Sequence, residues 1–166
     1  MVLTPLTAEG YRNASPINDE SPELLLASDL DKVGFEYVGG GRLGAFMHGL
    51  GWLNFVDAEY VALFRDILGT DTSFVECWIE DKKWFAIYPH RTLAGLDLEQ
   101  SSIIWREDGK GLLCERAVFN RREIDKVACF ILSEFPGGPL LINGEAGVAL
   151  KKLNAPGLHL ILATHW

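Results

Sequence analysis

Apolar and polar positions along this chain change period several times, and each change marks a boundary between a helical stretch and an extended one. Tyr60, Val61, Phe64, Ile67 and Leu68 recur at helical spacing, with Asp57 standing where a capping residue belongs and Gly69 ending the run. A second helix is expected over 120–135. Asn120 is its cap, Glu123 follows three residues later as in a capping box, and Ile124, Val127, Ala128, Ile131, Leu132 and Phe135 trace one apolar stripe. Pro136-Gly137-Gly138-Pro139 closes it. Residues 145–153 suggest a third, weaker helix, and 23–30 a short apolar segment with helical character.

Between these lie stretches rich in aromatic and β-branched residues. Residues 33–38 read as a strand ended by glycines. Residues 73–79 and 84–88 form a hairpin about the polar turn Glu80-Asp81-Lys82-Lys83, and 101–106 and 112–119 form another about Glu107-Asp108-Gly109-Lys110-Gly111. Trp78, Trp84 and Trp105 are expected to cover one face of the resulting sheet, and 158–164 to add a last strand. Residues 52–55 lead into the first helix. Residues 39–51 hold six glycines in thirteen positions, which suits a loop or bent strand rather than a helix. The expectation is an α+β fold: one domain over 1–166, an antiparallel sheet built from hairpins with two or three helices packed on it, and an irregular lead-in over 1–22.

Composition supports a packed core. The 166 residues are 48% hydrophobic and include five Trp, nine Phe and four Tyr, enough bulky surface to fold without metal or disulfide staples. Cys77, Cys114 and Cys129 form no CxxC pair and sit in apolar stretches, as small buried hydrophobes do. The opening residues lack a basic region and a signal-length apolar run, and no apolar window is long enough to span a bilayer, so a cytoplasmic location is expected. On that reading the acceptor triplet Asn13-Ala14-Ser15 is coincidental. The net charge of −8, from 23 acidic and 15 basic residues, disfavours nucleic acid and anionic membranes as partners. It suits a basic protein partner, although the same charge also serves solubility.

Motifs for chemistry are sparse. Gly39-x-Gly41-x-x-Gly44 follows a strand and formally matches a dinucleotide fingerprint, but 45–51 make a poor helix and hairpins follow instead of a βαβ unit. His48, His90, His159 and His165 show no metal-ligand spacing. His48 in the glycine-rich loop and His90 at a strand end remain candidates for a small enzyme or small-molecule site, as does a Cys–His pair of Cys77 or Cys114 with His90. The carboxylates are scattered, and a solvated face is the simplest reading of them.

The stretch 49–64, running Gly51, Trp52, Asn54, a capping turn at Asp57, Glu59-Tyr60 and then an amphipathic helix, resembles the GAD-like domains of bacterial immunity proteins. A Trp-containing hairpin follows in those domains, as 74–88 would here. The chain departs from the family pattern at Asp57, where a proline-containing cap is expected, and in lacking a Gly-Asp pair in the hairpin. The resemblance implies a cytoplasmic, non-enzymatic antitoxin that binds and occludes the nuclease effector of a type VI secretion system and needs no cofactor. Because loop and turn positions expose side chains, the expected contact residues are Arg42 and His48 in the glycine-rich loop, with Glu80, Asp81, Glu107 and Asp108 on the hairpin turns. A structural or assembly module docking through aromatic surface is the remaining alternative.

Overall fold

The computed structural model describes residues 2–5, 35–38, 44–48, 53–79 and 81–165. Their architecture is α+β, with strands dominant. Six strands form the main sheet: β1 (Val2–Pro5), β2 (Phe35–Val38), β3 (Phe46–His48), β4 (Asn54–Asp57), β5 (Thr72–Ile79) and β6 (Lys82–Pro89), in the order β1-β2-β5-β6-β4-β3. Every neighbouring pair is antiparallel except β2 and β5, which run parallel where Phe35 meets Ile79. A second sheet orders β11 (Leu141–Ile142), β10 (Cys129–Leu132) and β7 (Thr92–Leu93), and β8 (Ser102–Trp105) pairs β9 (Gly111–Arg116) as a separate ribbon. The described helices are α1 (Val61–Leu68), the single turn α2 (Arg121–Ile124) and α3 (Gly144–Lys152). The expected helix over 23–30 and most of the N-terminal lead-in lie outside the described residues; Val2–Pro5 of the lead-in is a strand.

Strand alternation sorts the main sheet into two apolar faces. Trp84 and Ala86 of β6 join Met47, Phe55, Cys77 and Ile79 on one side. Ile87 and Val56 face the other side, where Phe64 and Leu68 of α1 and Ala146 and Leu150 of α3 cover them. Helix α1 is amphipathic as its spacing predicts: Phe64 and Leu68 are buried, whereas Arg65 and Asp66 face solvent. Phe64 stacks on Phe46 with centroids 5.8 Å apart, which ties α1 to β3.

Asp57 does not cap α1. It ends β4, paired with Trp84, and the N-cap position falls on Tyr60, which makes no side-chain cap bond. The Asp57 carboxylate is buried; its Oδ1 accepts from the Glu59 amide at 3.1 Å and its Oδ2 pairs with Lys82. One neighbouring amide and one side chain brought in by the next hairpin thus take the carboxylate away from the helix terminus. The stretch expected to lead into the helix is accordingly strand over Asn54–Asp57, before the turn. Helix α3 matches the expected third helix, capped by Asn143, whose side chain accepts from the Ala146 amide at 2.8 Å.

The expected helix over 120–135 is the largest correction. Only Arg121–Ile124 turn helically, without the anticipated side-chain cap from Asn120, and Glu123 pairs with Lys126. From Cys129 the chain is strand β10, with all four of its residues buried. An apolar run enclosed on every side carries no amphipathic stripe, so its spacing cannot separate helix from central strand. The three tryptophans also part company. Trp84 is fully buried, whereas Trp78, paired with Lys83 and so directed to the opposite face from the Cys77–Trp84 pair, is exposed, and Trp105 is exposed on the separate ribbon.

The first hairpin turns more tightly than its polar residues suggest, since Ile79 pairs Lys82 and leaves two residues in the turn. Residues 158–164 form no strand. Only Ala117 N–H to the Thr164 carbonyl, at 2.8 Å, joins their backbone to β9's end, and Ile161 and Leu162 stand exposed. Gly44, the last glycine of the fingerprint-like pattern, has a packing role. The Pro156 carbonyl accepts from the Ala45 and Phe46 amides at 2.6 and 3.1 Å, and a Cβ on Gly44 would lie 2.5 Å from that same oxygen.

Gly44→Ala therefore collides with backbone already committed to two hydrogen bonds and is expected to cost about 1–3 kcal/mol. Gly147→Ala, on the open side of α3 where a Cβ meets nothing within 4 Å, is expected to stabilise by about 0.5–1 kcal/mol. Urea denaturation of both variants checks the opposite signs.

Candidate functional site

The β8–β9 ribbon concentrates solvent-facing apolar side chains. Ile104 and Leu113 pair directly across it, and with Trp105 and Leu112 they form an exposed set ranging from 42% to 66% accessible. The inner side anchors the ribbon: Cys114 is buried, and Ile103 packs with Val127, Phe130 and Phe135. Two register shifts shape it. Ser102 pairs Arg116 while Ile103 pairs Cys114, and Ile104 pairs Leu113 while Trp105 pairs Gly111. Glu115 and Leu112 are the extra residues of two bulges, which bend the ribbon and re-aim its side chains. At Gly111 a Cβ would lie 2.2 Å from the Phe135 ring, so only glycine admits this approach of β9 to the core.

The turn at the ribbon's tip follows its sequence signal. Gly109 adopts a φ of 79°, its amide donates to the Arg106 carbonyl at 3.1 Å, and the Arg106 amide donates to the Lys110 carbonyl at 2.7 Å. Asp108 is held in place: Oδ1 accepts from the Lys110 amide at 3.0 Å and Oδ2 pairs with Arg106 at 3.3 Å. Glu107, also exposed, makes no ion pair among the described residues. The tip thus presents one free carboxylate and one paired carboxylate beside Trp105.

The other expected contact residues are placed less completely. Arg42 and Glu80 lie outside the described residues. His48 ends β3, its backbone paired with Asn54. Asp81 is exposed in the first hairpin turn at a φ of 61°, a conformation that Asp tolerates better than most side chains. No hydrogen bond or ion pair among the described residues joins Asp81 to Glu107 or Asp108. Glu107 and Asp108, adjacent in sequence, share the ribbon's tip, and Asp81 sits in the separate turn of the β5–β6 hairpin.

Two further features bear on the enzyme alternative. An open cleft of about 710 Å³ is lined by Asp97, Glu99, Phe119, Asn120, Arg121 and Arg122. Asp97 serves the local turn, accepting from the Glu99 and Gln100 amides at 3.1 and 3.2 Å. None of the histidines or cysteines lines this cleft. The three cysteines are buried and form no disulfide among the described residues, Cys77 in one core cluster, Cys129 in another and Cys114 in the third. Burial pushes the Cys129 thiol well above the usual thiol range, and the nearby Asp71 carboxylate adds to the rise. Among the described residues no group of three or more His, Cys, Asp or Glu is placed to hold a metal ion, and no helix is long and apolar enough to cross a membrane.

Sequence reasoning placed the ribbon and its turn but missed its outward-facing apolar residues. Ser102-Ile103-Ile104-Trp105 has no alternation of apolar and polar residues to mark a solvent face, and only the pairing of Ile103 with buried Cys114 reveals which side faces in. No family model matches the chain, and comparison with curated proteins finds no match.

Cys129 in the native protein is expected to resist iodoacetamide at neutral pH and to react at an ordinary rate once urea exposes it, as peptide mapping will read. Its raised native value means that, above the ordinary thiol value of about 8.5, the unfolded chain loses a proton that the folded chain keeps. The contribution of this group to stability is therefore intact below that pH and falls as pH rises beyond it. Comparing the alkaline limb of the stability profile with that of Cys129→Ala tests the sign.

Proposed function

We propose that this chain is a toxin-neutralising, immunity-type protein that acts by binding and occluding a basic protein domain, with the β8–β9 ribbon as its principal contact element. The observation that carries the reading is the exposure of Ile104, Trp105, Leu112 and Leu113 around a turn bearing Glu107 and Asp108. Scattered exposed hydrophobes are ordinary on any protein surface. Three aliphatic side chains on one ribbon beside Trp105 and Arg106 match the make-up of interface hot spots, where a bulky anchor is ringed by polar groups.

Charge supplies the second support. An overall −8 accelerates encounter with a cationic surface, and an acidic inhibitor suits a cleft built for an anionic substrate. The third is the resemblance at 49–64 to GAD-like immunity domains, supported by the succession of a turn through Glu59-Tyr60, helix α1 and the Trp-bearing β5–β6 hairpin, with the capping role at Asp57 not taken up. Occlusion requires no turnover, so an antitoxin of this kind needs neither nucleophile nor cofactor.

The deciding experiment retrieves the protein bound to this chain in its native organism and tests, by co-expression, whether that protein is toxic and whether this chain relieves it. Trp105→Ala is expected to weaken the complex by about 2 kcal/mol or more, roughly 30-fold in Kd, mainly through faster dissociation. Glu107→Lys with Asp108→Lys is expected to slow association and flatten its salt dependence. Binding by both variants at wild-type strength would remove the ribbon from the interface, and a bound protein without toxicity would overturn the immunity reading.

A further inference from the structure

We propose that Ser73 is an acyl-acceptor site, its hydroxyl activated by His90 and able to take an acyl group from an activated carboxylic ester. The arrangement sits where the turn after α1 meets the far end of the β5–β6 hairpin, and Ser73 pairs with Tyr88 across it. It stands apart from the β8–β9 ribbon and does not depend on the binding role proposed for it.

His90 is held at both ring nitrogens. Nδ1 lies 3.0 Å from the Thr70 carbonyl oxygen and Nε2 lies 2.7 Å from Ser73 Oγ. A carbonyl oxygen only accepts, so Nδ1 carries the proton and donates. In the neutral ring Nε2 is then the acceptor, and the Ser73 hydroxyl donates to it. This is the relation of a serine nucleophile to its general base, with the base oriented by a third group, here a main-chain carbonyl. The backbone reinforces it: the His90 amide donates to the Asp71 carbonyl at 2.8 Å, and the Tyr88 ring lies 6.2 Å from the imidazole, centroid to centroid. His90 is exposed and Ser73 half-buried, so a small ester reaches the oxygen without any opening of the fold.

In the step itself, Ser73 Oγ forms a bond to the ester's carbonyl carbon as its proton passes to His90 Nε2. The bond from that carbon to the leaving oxygen then breaks, and the departing alkoxide or phenolate takes the proton from Nε2. The products are an O-acyl serine and the free alcohol or phenol, with no change in oxidation state. Positioned base catalysis contributes about 10²–10⁴-fold in well-formed sites, and an exposed base such as His90 belongs at or below the lower end.

The test exposes the full chain to p-nitrophenyl acetate, follows release of nitrophenolate and locates the acetyl group by peptide mass mapping. Ser102, whose hydroxyl donates to the Glu115 carboxylate at 2.9 Å, is the internal comparison, because it is bonded to a base but not to an imidazole. The expected result is acetylation of Ser73 about ten-fold or more faster than of Ser102. The label should vanish from this position in Ser73→Ala and form about ten-fold or more slowly in His90→Ala. Thermal melts establish that each variant is folded, and the wild-type comparison of Ser73 with Ser102 stands even if His90→Ala is not. Equal labelling of the two serines in the wild type, or wild-type labelling of Ser73 in folded His90→Ala, would reduce His90 to a clamp on the turn and overturn the proposal.

Discussion

Complete burial of the four-residue strand β10 is the constraint on which the rest of the described structure depends. Ile131 packs into one face of the main sheet, Cys129 into the opposite face under α1 and α3, and Phe130 and Leu132 into the cluster that anchors the β8–β9 ribbon. One short strand therefore meets all three apolar clusters. Such a position excludes water on every side, so its backbone must be satisfied within the protein. Pairing with β11 and β7 does this, supplemented by the Ile131 amide donating to the Arg91 carbonyl at 2.9 Å.

Other parts of the fold follow from this arrangement. Asp71 accepts from the Ala128 amide at 2.8 Å, binding the turn after α1 to the residue just before β10. That turn also supplies the Thr70 carbonyl that orients His90, so the Ser73–His90 pair owes its geometry to the docking of β10 at one remove. On the other side, Phe130 and Leu132 share a cluster with Cys114 and Phe135, which hold the inner side of β9 and leave its outer side to solvent. The ribbon is thus firmly rooted while its tip stays exposed, a combination that suits a binding element because little conformational freedom remains to be lost on association.

The two proposals draw on different parts of the surface and on different physics. Binding through the ribbon rests on exposed apolar area beside carboxylates and needs only complementarity from a partner. Acylation at Ser73 rests on the direction of a hydrogen bond and needs only a small electrophile. Neither uses the cleft lined by Asp97, Arg121 and Arg122, where carboxylates and guanidinium groups are mixed and Asp97 is engaged by its own turn.

The sequence by itself determined those elements whose signals are local. Helix α1 has one apolar stripe, both hairpins have turn residues flanked by β-formers, and the helix after Asn143 ends before an Asn-Ala-Pro-Gly break. Glu107 and Asp108 were likewise legible as exposed turn residues, because Asp-Gly dictates the turn wherever it sits. Tertiary structure alone decided what Cys129–Leu132 became, since a run buried on all sides has no polar face to mark its period. It alone decided that Asp57 would serve Lys82 and Glu59 rather than a helix, that Trp84 would be interior and Trp78 and Trp105 exposed, and that Ser73 would meet His90. Each of those outcomes depends on residues that lie far apart along the chain or on which side of a strand is covered, and local pattern carries no record of either.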